Sequence, residues 1–242
     1  MIATDEYVKP KKVLAIYAHP DDAEFFTGGT LARWAAEGAD ITLVLVTSGD
    51  KGSSDRSIEW QQLRDIREAE TQAAAAALGI NKVIFMRWRD GELQPSLFMR
   101  RAFVRFIRLE RPDTVLSTDP EIRWRTARRI NHPDHWIVAQ EVMNAVYPAA
   151  RDHLNFPELL HDEGLEPHIT SYLYLALSHQ PNVRICVDDF QQQKFEALRA
   201  HRSQVGEDLD KLRRKLEGYA DPELSTAEKK YYNEYFRLIS LD

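Results

Sequence analysis

Residues 41–47, Ile-Thr-Leu-Val-Leu-Val-Thr, form an unbroken apolar and largely β-branched run, and this run constrains the fold more than any other feature. Strands without polar alternation are typical of parallel sheets that are covered on both faces. Other short apolar runs alternate along the chain with helix-like segments. We therefore predict a single α/β domain whose largely parallel sheet is flanked by helices, with strands near 13–18, 41–47, 83–86 and 114–117 and helices near 57–78, 97–110 and 135–147.

The loops that follow these strands are the expected location of a functional site, because open parallel sheets bind ligands beyond the carboxyl ends of their strands. Towards the end of the chain, residues 172–177 and 184–187 predict two more strands, paired with each other across 178–182. Residues 205–242 are charge-rich and predict a helical extension of a core at about 11–204. Its leucines, Leu212 and Leu216 among them, are candidate contacts with a second copy of the chain.

The charge and hydropathy of the chain exclude several classes of partner. A formal charge of −6 and a pI of about 5.8 give no electrostatic footprint for nucleic acid. No apolar run approaches the roughly 18 residues that a membrane span requires. The amino-terminal residues contain acids and lysines but no apolar signal region. We therefore expect a cytoplasmic protein that acts on a small molecule.

A cluster of potential metal ligands directly follows the first predicted strand. The segment at 19–24 reads His-Pro-Asp-Asp-Ala-Glu and places one imidazole and three carboxylates within six residues. Carboxylates this close raise one another's pKa unless a cation lies among them, and a divalent metal would supply that cation. The alternative is an ordinary helix amino terminus with acidic residues in its first turn, where the helix dipole favours them.

The segment at 131–135, Asn-His-Pro-Asp-His, repeats the His-Pro-Asp theme after the fourth predicted strand. A His-x-x-His pair alone is a weak signal. Together, the two segments supply three protein ligands and an open position, which is the arrangement of catalytic zinc sites. The sequence therefore indicates a metal site that is assembled from two distant segments.

At this point the chain resembles the LmbE-like (PIG-L-type) zinc-dependent N-deacetylases. The two His-Pro-Asp segments carry most of the resemblance, and further matching motifs extend it from about residue 13 to residue 204. These motifs are Gly-Gly-Thr-Leu at 28–31, Ile-Arg-Glu-Ala-Glu at 66–70, Leu-Gly at 78–79, Asp-Gly-Glu-Leu at 90–93, Arg-Pro-Asp at 111–113, Asp-Pro at 119–120, Lys194 and Ala-Leu-Arg-Ala-His-Arg-Ser-Gln at 197–204.

The resemblance implies a Rossmann-like fold and a homo-oligomeric hydrolase that removes an acyl group, typically acetyl, from an N-acylated amino sugar. It implies that Zn²⁺, or another divalent ion such as Fe²⁺ or Co²⁺, is held by His19, Asp22 and His135. Asp21 would then be the general base. His132 would stabilise or protonate the tetrahedral intermediate and would be oriented by Asp134.

Three other residues have both a functional and an ordinary interpretation. Arg67 and Asp90 would face the substrate, or Arg67 would pair with acids on its own helix while Asp90 forms a turn with Gly91. Glu24 would orient a metal ligand, or would simply be an acid at a helix start. The basic segment at 123–129 is either a lid that recognises an anionic group or another subunit, or a solvated loop.

Two other functions fit parts of the pattern. A His-x-Asp motif with a distant histidine also occurs in non-haem iron oxygenases, although these enzymes have all-β scaffolds. A non-catalytic metal- or carbohydrate-binding protein would not need Asp21, His132 and Asp134 in addition to the metal ligands. No Gly-x-Ser-x-Gly motif supports a serine hydrolase.

Overall fold

A computed structural model describes residues 7–241 of the chain. Strands and helices alternate from the first strand onward, as the hydrophobic pattern predicts. The strands are β1 Lys12–Tyr17, β2 Asp40–Thr47, β3 Lys82–Trp88, β4 Thr114–Thr118, β5 Trp124–Thr126, β6 Arg129–Ile130, β7 Tyr172–Ala176, β8 Val183–Cys186 and β9 Asn233–Ser240. The helices are α1 Asp22–Ala36, α2 Trp60–Ala77, α3 Leu97–Glu110, α4 Pro133–Val146, α5 Pro157–His161, α6 Gln191–Ala200, α7 Arg202–Val205 and α8 Leu209–Glu217.

Seven strands form one sheet in the order β3-β2-β1-β4-β7-β9-β8, and β5 and β6 form a separate hairpin. The first five strands of this order are parallel, and β9 runs antiparallel to both of its neighbours. The chain moves outward from β1 to β3 and then returns to place β4 on the other side of β1. The strand order therefore reverses between β1 and β4, and such switch points are where open α/β sheets bind ligands.

The sheet is covered on both faces, and successive residues of β1 show this directly. Ala15 and Tyr17 face the layer that contains Trp34 of α1. Ile16 faces the opposite layer, which contains Phe103 of α3. Burial on both faces explains why these strands are apolar throughout rather than alternating. The predicted α/β fold with a largely parallel sheet is confirmed.

The carboxyl-terminal part of the prediction is wrong in two respects. Only Leu209–Glu217 of the predicted helical extension forms a substantial helix, and Asn233–Ser240 is a strand. This strand lies between β7 and β8, so the predicted direct pairing of those two strands does not occur. Glu234 and Phe236 of β9 are buried within the fold, which makes residues 233–240 part of the sheet rather than an extension.

Two leucines proposed as contacts with a second copy, Leu212 and Leu216, instead pack into a small apolar cluster with Phe195 and Leu198 of α6. Homo-oligomer formation therefore stays a prediction without these two residues to support it. Between residues 7 and 241, none of the helices combines the length and the apolar character that crossing a bilayer requires. The cytoplasmic location also stays a prediction.

Candidate active site

Asp21 and Asp22 lie at the carboxyl end of β1, where α1 begins, and their carboxylates take different directions. Asp21 has a backbone φ of 85°, in the left-handed region that non-glycine residues seldom adopt. Such strain is tolerated mainly where the surrounding structure enforces it, and it is common at functional sites. The turn allows Asp22 to point towards β4 and α4 while Asp21 faces α2.

The two His-Pro-Asp segments meet as the sequence predicts. Nε2 of His135 lies 3.0 Å from Oδ1 of Asp22 and 3.2 Å from Nδ1 of His19. Nδ1 of His19 lies 3.4 Å from Oδ2 of Asp22. Ligand atoms bound tetrahedrally to zinc at about 2.0–2.1 Å are separated by about 3.3 Å. The three side chains therefore form a triangle of the size that a single divalent ion needs.

The outer nitrogens of both histidines are engaged by oxygen acceptors. Nδ1 of His135 lies 3.0 Å from Oδ1 of Asn131, so this nitrogen donates its proton to the amide oxygen. Nε2 of His19 lies 3.2 Å from Oδ2 of Asp134 and 3.1 Å from Oδ1 of Asp90. In neutral rings, the facing nitrogens of His19 and His135 then both carry lone pairs. Lone pairs in contact repel each other, and a cation between them removes that repulsion.

The charges around the triangle suit a bound cation. Burial alone would lower the pKa of His19, but Asp134, Asp22 and Asp90 raise it well above its ordinary value. Burial would raise the pKa of Asp22, but His135 and His19 hold it far below its ordinary value. Oδ1 of Asp134 is buried without a hydrogen-bond partner. Nitrogen and carboxylate donors of this kind fit zinc, iron(II) or cobalt(II).

A second set of atoms, from His19, Asp90, His132 and Asp134, also lies close enough together to hold an ion. This set would use Nε2 of His19, the nitrogen that already contacts two carboxylates. Metal-binding histidines commonly donate their other ring nitrogen to a carboxylate, which fixes the tautomer. We therefore favour the triangle of His19, Asp22 and His135, with Asp90 and Asp134 orienting His19.

Arg67 lies under the metal-site loop rather than in contact with acids on its own helix. It is 4% exposed, donates to the carbonyl oxygens of Gly49 and Pro20, and places Nη2 3.8 Å from Oδ2 of Asp21. Burial, followed by the charge of Asp22, raises the pKa of Asp21 to about 7, and Arg67 opposes this shift. Arg67 thus fixes the position and the charge of Asp21.

His132 occupies the N-cap position of α4, and Pro133 is the first residue of that helix. Its Nδ1 accepts a 3.3 Å hydrogen bond from the backbone N–H of Asp134, so the neutral ring carries its proton on Nε2. Burial, followed by the charge of His19, lowers the pKa of His132. The Asp134 carboxylate contacts His19 and the N–H of Gly91, so the contact of Asp134 with His132 is made by its backbone N–H, and the orienting role stays a prediction.

Asp90 and Glu24 each make contacts in or beside the site, and those of Glu24 were not predicted from the sequence. Asp90 lies in a turn with Gly91 and also lines the cavity beside His19. Glu24 is buried, and its Oε1 lies 3.3 Å from Nε2 of the fully buried His201. His201 belongs to the motif at 197–204, but the sequence indicates no role for it. Only the tertiary fold brings His201 to α1. The contact of Asn131 with His135 could have been predicted, because residues four positions apart lie side by side where a helix begins.

These side chains lie on one side of a cavity of about 700 Å³. The opposite side is formed by the β5–β6 hairpin, by α8 and by the segment that leads into β9. The cavity is large enough for a small-molecule ligand that extends beyond the metal triangle. Its outer residues include Arg125, Arg129, Lys215, Tyr219, Asp221 and Tyr235.

Comparison with known proteins gives the same family that the motifs indicate. The family described as PIG-L, GlcNAc-PI de-N-acetylase, matches residues 14–146. Diacetylchitobiose deacetylase of Thermococcus kodakarensis is 33% identical over 202 residues, which cover 84% of this chain and 73% of that protein. The 1D-myo-inositol 2-acetamido-2-deoxy-alpha-D-glucopyranoside deacetylase of Rhodococcus erythropolis is 36% identical over 165 residues, 58% of this chain and 54% of that protein.

A solved structure extends the similarity to the whole fold. N,N'-diacetylchitobiose deacetylase from Pyrococcus horikoshii, in complex with its inhibitor MPG, superposes with a TM-score of 0.84 at 31% sequence identity. The match covers 96% of this chain and 84% of the other.

Proposed function

The chain belongs to the PIG-L family of de-N-acetylases, and from this premise we propose that it uses a bound divalent metal to hydrolyse the acetamide of an N-acetylated amino sugar. The observation that carries the metal assignment is the 3.2 Å contact between Nδ1 of His19 and Nε2 of His135. Both outer nitrogens face acceptors, so two neutral rings repel at this contact, and the added carboxylate of Asp22 makes a divalent metal the cation that fits all three side chains. The α/β fold and the family leave the oxygenase and non-catalytic alternatives without support.

His19, Asp22 and His135 are the proposed metal ligands, and zinc is the ion that suits two imidazoles and one carboxylate best. A metal in this position lowers the pKa of water and polarises the amide carbonyl. Asn131 and Asp134 hold the two rings in the tautomers that such binding requires. Asp90 also contacts Nε2 of His19 and so helps to hold that ring. Because Asp90 lines the cavity, its carboxylate is placed to accept a hydrogen bond from a sugar hydroxyl.

Asp21 is the proposed general base. Its carboxylate borders the cavity beside the ligand Asp22, and burial raises its pKa to about 7, so it is a stronger base than an exposed aspartate. It takes a proton from the attacking water as the carbon–oxygen bond forms. It then returns that proton to the amide nitrogen as the carbon–nitrogen bond breaks, which leaves acetate and a free amine.

His132 is the proposed hydrogen-bond donor to the developing oxyanion. Its Nδ1 is occupied by the helix N-cap contact, so Nε2–H is the group that remains available at the cavity. The amino terminus of α4 adds a partial positive charge at the same point. Donors that are already in place before the reaction stabilise the transition state more than the planar amide. A neutral imidazole is sufficient for this role.

Amine release from N-acetylglucosamine and N,N'-diacetylchitobiose tests the proposal, with acetate measured in parallel. Metal-replete protein should release the two products in equal amounts. Protein treated with a chelator should lose this activity and should regain it when zinc is added. Metal-replete protein that releases neither product from any N-acetylated sugar in a broader panel would contradict the proposal.

A further inference from the structure

Three cationic side chains line the cavity outside the metal triangle. Arg125 and Arg129 extend from the β5–β6 hairpin, where Arg129 pairs in register with Thr126, and Lys215 extends from α8. The hairpin and the helix are distant in sequence, so the fold alone brings these charges together. The three residues are called the basic rim below.

Among residues 7–241, which the structure describes, no acid lies within ion-pair distance of Arg125, Arg129 or Lys215, although the charges of Asp22 and Asp21 act on Arg125 and Lys215 from farther away. The acids that line the same cavity are already engaged. Glu234 lies 2.6 Å from Nζ of Lys194, and Asp221 accepts hydrogen bonds from Asn233 and Tyr235. Asp22 and Asp90 face His19, and Asp21 lies beside Arg67. The positive charges of the basic rim are therefore offset only at longer range, by Asp21 and Asp22.

Burial and the closeness of these cations lower the pKa values of two of them. Burial and then the neighbouring Arg129 lower the pKa of Arg125. Burial also lowers the pKa of Lys215; the charge of Asp21 opposes this shift, and the two arginines add to it. Like charges that are held together in a partly buried site favour binding of an anion, which restores the balance.

Aromatic rings hold the rim towards the cavity instead of releasing it into solvent. The guanidinium of Arg125 lies 5.2 Å from the ring centre of Phe26, and Nζ of Lys215 lies 3.9 Å from the ring centre of Phe25. The ring of Phe26 is in turn 5.6 Å from the ring of His135. A single aromatic ring thus separates Arg125 from a proposed metal ligand.

A solvated basic loop would look different. Arg128, at the turn of the same hairpin, does not line the cavity, whereas the half-buried Arg125 and the exposed Arg129 both do. Arg125 and Arg129 are spaced so that both reach the cavity. This difference within one hairpin favours recognition of a ligand over general solubility.

We propose that Arg125, Arg129 and Lys215 form a subsite for an anionic group, a carboxylate or a phosphate, carried by the substrate next to its N-acetylated sugar. The inference rests on the proposed function, since it assumes that the acetamide lies at the metal triangle. A planar guanidinium pair suits either anion through paired N–H donors, and Lys215 adds a point charge.

The test compares substrates that differ in charge but little in size. The carboxymethyl glycoside of N-acetylglucosamine and its neutral methyl ester form one pair, and N-acetylglucosamine 1-phosphate and the methyl glycoside form the other. At least one anionic substrate should have a kcat/KM about tenfold or more above that of its neutral partner, and the larger preference identifies the anion.

Variants assign the preference to the basic rim. The double change R125Q/R129Q should reduce the preference about tenfold or more, whereas R125K/R129K should retain most of it. R128Q, on the same hairpin but outside the cavity, should leave the preference unchanged. Equal kcat/KM values within both pairs for the wild-type enzyme would overturn the proposal, as would a preference that survives R125Q/R129Q.

Calorimetry on metal-replete D21N separates this inference from the proposed function, because binding is measured without turnover. Tighter binding of the anionic glycoside than of its neutral partner, lost in D21N/R125Q/R129Q, would support the subsite even if no substrate were hydrolysed. Equal binding of charged and neutral glycosides, or binding of neither, would overturn it.

Discussion

Nη2 of Arg67 lies 3.8 Å from Oδ2 of Asp21, and this contact joins α2 to the loop that follows β1. The sequence leaves open whether Arg67 faces the substrate or pairs with acids on its own helix. The structure buries its side chain behind the loop, where it donates to two backbone carbonyl oxygens, and also places it in the lining of the cavity. Its charge is therefore available to set the pKa of Asp21, and its hydrogen bonds hold the strained turn in place.

This contact predicts the direction of a pH shift. Asp21 must be ionised to act as a base, so kcat/KM should rise with pH as Asp21 loses its proton. Burial raises its pKa to about 7, and Arg67 lowers it from a still higher value. Removing the cation in R67M should move the acidic limb of the kcat/KM profile to higher pH. R67K keeps the charge and should move the limb less, and equal shifts in both variants would contradict the electrostatic role.

Metal content tests the triangle of His19, Asp22 and His135. Purified wild-type protein should bind about one divalent ion per chain. H135A removes one nitrogen ligand and should lose high-affinity binding, whereas N131A removes only the partner of its outer nitrogen and should weaken affinity about 10- to 100-fold. H179A changes an exposed histidine outside the site and serves as the control. Full metal content in H135A by elemental analysis would rule out this ligand assignment.

His132 tests whether a hydrogen-bond donor or a cation is needed. H132Q retains a side-chain N–H of similar reach, while H132N retains the helix cap but is too short to reach the substrate. We expect kcat to fall by roughly 10² in H132N and H132A, with metal retained, and to fall less in H132Q. If H132Q is as impaired as H132A, the donor role is wrong and a protonated imidazole is required.

The ion pair between Lys194 and Glu234 links α6 to β9, and both side chains are only 6% exposed. Glu234 also accepts from the backbone N–H groups of Gly29 and Thr30 in α1. E234Q leaves Lys194 buried without a counter-charge, which should lower the free energy of unfolding by about 3–5 kcal/mol.

The matched control for E234Q is R237Q, a change on the same strand. R237Q removes an exposed ion pair between Arg237 and Glu121, and it should lower the free energy of unfolding by less than about 1 kcal/mol. Chemical denaturation of both variants checks the difference. Equal effects would mean that β9 is not held by the buried pair.

Much of the fold could be predicted from local sequence signals, whereas the choice of His19, Asp22 and His135 as metal ligands rests on the family resemblance of the two His-Pro-Asp segments. Apolar runs such as 41–47 define the parallel strands, and the two His-Pro-Asp segments lie at predicted strand and helix boundaries. Strand β9 could not be predicted in this way. Its buried Glu234 and exposed Tyr235 obscure the strand pattern, and pairing with β7 and β8 determines its conformation.

Contacts between distant segments of the site depend on the tertiary fold in the same way. The family resemblance implies that Asp134 orients His132, whereas the Asp134 carboxylate contacts His19, which lies directly after β1. The partnership of Glu24 with His201 likewise depends on how α6 packs against α1. Local patterns predict which residues carry chemistry, and the tertiary fold decides which of them touch.

The central claim is that a metal-dependent hydrolase uses Asp21 as its base, and D21N tests it most directly. The amide cannot accept a proton from water, while the three proposed ligands remain intact. Amine release from N,N'-diacetylchitobiose should be measured for wild type and D21N at equal metal content. We predict that kcat falls by about 10² to 10⁴ in D21N. Turnover close to wild type in a metal-replete D21N protein would contradict the account.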